Sequence, residues 1–103
     1  MPNMAIDWDS AIIWDENSRR TFSGKNVAEE TVKKIFKMVS EGKARIYKEK
    51  HADKNILSFY RIPSVAIGGL RYTLFFSIAI ENGKECFLPI DVDVFNKNGK
   101  QIY

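Results

Sequence analysis

A chain of 103 residues fits one folding unit and is too short for two, so the expectation is a single domain over residues 1–103. Hydrophobic residues at 45% and charged ones at 28% exclude a disordered chain, and seven Phe, four Tyr and two Trp supply a core without disulfide or metal staples. The net charge of +3 is uneven: residues 1–16 carry Asp7, Asp9, Asp15 and Glu16 and no basic residue, whereas the remainder holds all 16 Lys and Arg against nine acidic residues. That basic excess permits an anionic partner, such as RNA or an acidic protein surface, without requiring one.

In chain order, residues 5–14 (AIDWDSAIIW) place Ile6, Trp8, Ile12 and Trp14 on one parity and Asp7, Asp9 and Asp15 on the other, which predicts a first strand. Residues 15–25 are polar apart from Phe22 and read as a connection. The clearest element is a helix over 27–41. Asn26 is its expected N-cap and Glu29 the capping-box partner, while Ala28, Val32, Ile35, Phe36 and Val39 make one apolar stripe. Glu29–Lys33 and Glu30–Lys34 are i,i+4 pairs, and Gly42 supplies the stop.

Strands then follow in series. The charged stretch 44–50 suits a sheet edge. HADKN (51–55) is a turn and 56–62 the next strand, ended by Pro63, with 64–70 a bend or loop around Gly68-Gly69. Residues 71–80 direct Tyr72, Leu74, Phe76, Ile78 and Ile80 to one face. The Asn82-Gly83 pair marks a tight hairpin. Residues 85–95 return with Cys86, Leu88, Ile90, Val92 and Val94 inward and Glu85, Asp91 and Asp93 outward, and Pro89 asks for a bulge. Asn98-Gly99 is a further turn. The fold class is therefore α+β: one amphipathic helix on a mostly antiparallel, four- to five-stranded meander in the order β-α-β-β-β-β. Phe75, Phe87 and Phe95 fall on the face away from the helix, either under the Trp-bearing first strand or as an exposed patch.

Few side chains have the spacing that chemistry demands. The single His and single Cys leave no metal-binding motif, so neither a metal nor a cofactor is expected. Cys86 reads as a small buried hydrophobe. Asp91 and Asp93 share a strand face and could hold a hard cation, although a solvated face explains them as well. Gly68-Gly69 precede a strand and not a helix, which removes a phosphate loop. No catalytic residue is assigned outright. Residues 1–5 lack the pattern of a signal peptide, and no apolar run approaches the ~20 residues of a membrane span, so a cytoplasmic setting without a membrane partner is the default expectation.

Ribonucleolytic chemistry can run without histidine, because Arg and Lys stabilise the developing phosphorane charge and a Tyr can move protons. The candidates for it are His51, Arg61, Arg71, Tyr60 and Tyr72, with Lys97, Lys100 and Tyr103 in the tail. Residues 70–103, a meander followed by basic and aromatic residues, are similar in outline to the RelE-like toxin ribonucleases. Those toxins carry more helix ahead of the sheet and more arginine. The resemblance implies a metal-independent ribonuclease acting on RNA.

The leading expectation is different: a small non-enzymatic protein-binding module of the inhibitor, immunity or anti-defence type, its partner another protein and its oligomeric state open. An RNA-associated accessory protein is a third reading. The candidate binding residues are Trp8 and Trp14 in the acidic segment, Lys33, Lys34 and Lys37 along the helix, and Lys97 and Lys100. Tryptophan is enriched at binding hot spots, and a lysine ridge can meet phosphate; each also has the plainer reading of a core anchor or a solvated face.

Overall fold

The structure, a computed structural model, describes residues 10–49 and 59–103. Trp8, His51 and the turn 51–55 lie outside the described residues, as do the first half of the predicted first strand and the start of the strand at 56–62.

Two helices pack on a four-stranded antiparallel sheet, an α+β arrangement. The first helix, α1 (Glu16–Gly24), lies inside the polar stretch 15–25 and replaces the connection expected there. Asp15 is extended and its carboxylate accepts the Ser18 N–H at 2.7 Å, satisfying one of the unpaired donors of the first turn. The helix buries only Ser18 and Phe22, one turn apart, so it shows no apolar stripe long enough to reveal itself.

The second helix, α2 (Glu29–Ser40), buries Val32, Ile35 and Phe36 completely, as the periodicity predicted. Its start differs from the expectation. Ala28 occupies the N-cap position with no side-chain hydrogen bond. Asn26 instead turns the chain between the helices at φ +58°, a left-handed conformation that asparagine tolerates, and its Nδ2 donates to the Tyr103 hydroxyl at 3.0 Å. At the other end Gly42, at φ +77°, closes a Schellman turn: the Gly42 N–H donates to Val39 and the Lys43 N–H to Met38, at 3.0 and 2.8 Å.

The strands run in sheet order β1 (Tyr47–Lys48), β2 (Tyr60–Ile67), β3 (Leu70–Glu81) and β4 (Lys84–Phe95). β1 is a two-residue edge strand. Pro63 does not end β2. It sits with Ser64 in a bulge between the Ile62–Leu74 and Val65–Tyr72 pairs, so the strand continues to Ile67 and only Gly68-Gly69 turn. A bulge is where a sheet accepts a residue without an N–H. Asn82 and Gly83, both at positive φ, make the predicted hairpin.

A second bulge resets β4. Asp91 pairs with Phe75 but Pro89 pairs with Phe76, leaving Ile90 unmatched. An extra residue exchanges the two faces of everything beyond it. Phe87, expected outside, therefore packs on the helix side, with its ring 4.8 Å from Phe36 and 5.5 Å from Phe76. Leu88 and Cys86, expected on the helix side, pair with Ser77 and Ala79 on the other face, where Cys86 is nevertheless buried, as its apolar setting predicts. Ile80, also expected inside, is 67% exposed beside the hairpin turn. Phe36, Phe76 and Leu74 are fully buried at the centre, and each such side chain contributes about 1.5–3 kcal/mol.

The outer edge of β4 is covered from Phe87 to Val94. Ala11 and Ile13 bond to both backbone groups of Phe87 at 2.8 Å, and Ile12 forms the one parallel bridge remaining from the predicted first strand among the described residues. The Ser18 hydroxyl donates to the Pro89 carbonyl. Lys25 Nζ donates to the Val92 carbonyl at 2.9 Å, and the C-terminal residues Ile102 and Tyr103 bond to Val94. Pro89 has no N–H to leave unpaired there. Among the described residues, no helix is long and apolar enough to cross a membrane.

Candidate binding face

Strand alternation divides the sheet into a face that meets the helices and a face that does not. None of Arg61, Arg71, Thr73, Phe75, Asp91, Asp93 or Phe95 belongs to the core cluster, and their pairing puts them together on the second face.

Two cross-strand rows define its centre. In the first, Arg61 of β2, Phe75 of β3 and Asp91 of β4 stand directly opposite one another. Tyr47 continues the row on β1, with its ring 5.4 Å from the Arg61 guanidinium, which also pairs with Glu49. Phe59 stacks on Phe75, centroids 5.8 Å apart and 11° from parallel. In the second row Thr73 faces Asp93, and its hydroxyl accepts the Ser64 N–H at 3.1 Å. Arg71 starts on β3 but extends toward β2, its Nη1 3.5 Å from the Ser64 carbonyl and 3.4 Å from the Ser64 hydroxyl. The face is thus striped: basic along β2, uncharged along β3 and acidic along β4.

The acidic stripe is electrostatically tense. Asp91 Oδ1 accepts from Lys25 Nζ at 2.5 Å and from the Val92 N–H at 2.8 Å. Burial, and then repulsion from Asp91, hold the Asp93 carboxyl above the ordinary aspartate value, with Lys25 acting in the opposite sense. Among the described residues, no three potential metal ligands gather in one place.

No known protein family matches the chain, and no curated protein or solved structure matches it significantly. The face therefore has to be read from its own chemistry.

The other sequence candidates are scattered. Tyr60 and Tyr72 lie on the helix side, Tyr60 stacked on Phe76 at 5.4 Å and Tyr72 buried, so neither stands beside Arg61 or Arg71. The two arginine positions are themselves separated by four residues along the sheet, roughly 13 Å. Lys34 and Lys37 are exposed on α2, and Lys33 is half-buried there. Lys97 and Lys100 are exposed in the C-terminal turn, the Lys97 side chain lying across Gly69. Trp14 is half-buried, edge-on to Phe22 at 5.6 Å, and its indole N–H is enclosed without an acceptor. It lines a groove of about 510 Å³ together with Arg19, Phe22, Asn26 and Glu29, where Arg19 and Glu29 form an ion pair at 3.3 Å. Sequence reasoning missed Tyr47, Phe59 and Ser64 as members of the candidate face. The shared parity of Arg71 with Phe75, and of Asp91 with Asp93, was visible, but the register that sets these pairs beside Arg61 was not.

Proposed function

We propose that the chain is a small non-enzymatic protein-binding module of the inhibitor, immunity or anti-defence kind, acting in the cytoplasm through the sheet face that the helices leave open. The Arg61–Phe75–Asp91 row carries this reading. Aromatic and arginine side chains are enriched at the centres of protein interfaces, and charges of both signs around an apolar centre fix orientation. Asp91 and Asp93 count against RNA on this face, because two carboxylates would repel phosphate. The RelE-like ribonuclease reading has weaker support, since Tyr60 and Tyr72 face away from both arginines.

The test is affinity capture from cells of the native host with the wild-type chain and with a Phe75→Lys variant whose circular dichroism is unchanged. One protein retained by the wild type and lost by the variant is the expected result. Growth arrest on expression, relieved by the combined Arg61→Ala and Arg71→Ala changes, would favour the ribonuclease instead.

A further inference from the structure

The charge pattern of the sheet face away from the helices is complementary to itself, and the geometry points to a second copy of this chain as its occupant. The inference rests on reading this face as a protein-binding surface, and it names the partner.

Two sheets packed face to face lie about 10 Å apart with their strands nearly aligned. A two-fold axis along β3 keeps each row at its own height and reverses its order across the sheet. Arg61 of one copy then stands over Asp91 of the other, Phe75 over Phe75 and Asp91 over Arg61. The second row obeys the same rule because of the bulge in β2. Arg71 sits on β3, where it would meet its own copy, but its guanidinium lies over Ser64 on β2. That position faces Asp93, whose carboxyl has no hydrogen bond or ion pair among the described residues and is disfavoured as an anion by burial and by Asp91. A cation from the second copy adds to the weaker attraction that Lys25 already exerts on Asp93. The charges also select the axis: a two-fold axis running across the strands would set Arg61 on Arg61 and Asp91 on Asp91, a repulsive arrangement.

Light scattering on the full chain over a concentration series tests the proposal. The wild type should scatter as twice the 11.9 kDa of one chain. An all-acidic face (Arg61→Glu with Arg71→Glu) and an all-basic face (Asp91→Lys with Asp93→Lys) should each be monomeric alone and form a dimer when mixed. Because Arg61 and Asp91 also make ion pairs within the fold, the pair Arg71→Glu and Asp93→Lys repeats the test with residues that do not. A wild type that stays monomeric to about 100 μM, above the micromolar limit of ordinary interfaces, overturns the proposal. A dimer indifferent to all of these charges overturns it too. A monomer that still captures a foreign protein through Phe75 refutes only self-association; a charge-dependent dimer that captures nothing else upholds self-association and refutes the inhibitor reading.

Discussion

The hydroxyl of Ser18 donates to the main-chain carbonyl of Pro89, and this one bond fastens the buried side of α1 to the outer edge of β4. The carbonyl has no strand neighbour on that side, so the serine replaces a ladder hydrogen bond. Ser18 is 3% exposed, and water cannot readily substitute.

Replacing Ser18 by Ala should leave a buried acceptor unpaired and cost about 1–2 kcal/mol. Urea denaturation measures the cost, and an unchanged midpoint would show that the bond adds nothing.

The bulge at Ile90 makes a contrast between neighbours. Phe87→Ala removes a ring that touches Phe36 and Phe76 and should destabilise by about 3 kcal/mol, whereas Leu88→Ala, on the open face, should cost about 1 kcal/mol. The reverse order of unfolding midpoints would mean that β4 runs without the bulge.

Trp14 offers an unusual case, because its enclosed N–H has no acceptor. Trp14→Phe keeps an aromatic ring against Phe22 and removes the unsatisfied donor. The melting temperature should hold or rise, although most substitutions of a packed tryptophan lower it. A loss of more than about 1 kcal/mol would mean that packing volume outweighs the donor penalty.

Asp93 and Asp15 should respond to pH in opposite directions. Burial and the Asp91 charge raise the Asp93 value in the fold, so the folded state holds that proton more tightly and loses stability as pH rises through the raised value. Asp93→Asn should therefore raise the melting temperature at pH 7, with the gain gone by pH 3. Asp15 is lowered by its hydrogen bonds from Ser18, so its contribution is present at neutral pH and fades as pH falls through the lowered value. Asp15→Ala should be most harmful at pH 7, and equal effects at both pH values for either variant would contradict the assignment.

Legibility in the sequence followed the length of each pattern. α2 announced itself because Val32, Ile35, Phe36 and Val39 keep helical spacing over about two turns, and the β3–β4 hairpin did so through long alternation around Asn82-Gly83. α1 stayed hidden because only Ser18 and Phe22 are buried, although Asp15 before Glu16 was a usable start signal. Two further errors came from bulges. Pro63 looked like a strand end when it occupied an irregularity within β2, and Ile90 moved Phe87 to the helix side against simple parity. The candidate face suffered most, since its stripes depend on register between strands and on Arg71 leaning over Ser64. Neither is written in local spacing.

The covered margin of β4 has a consequence for how the molecule can associate. Filaments that grow by adding strands need every unit to accept a neighbour on both sides of its sheet. Here one side is already stoppered by the chain's own Ala11–Ile13 segment, Ser18, Lys25 and C-terminal residues. A folded copy can end such a filament but cannot pass it on.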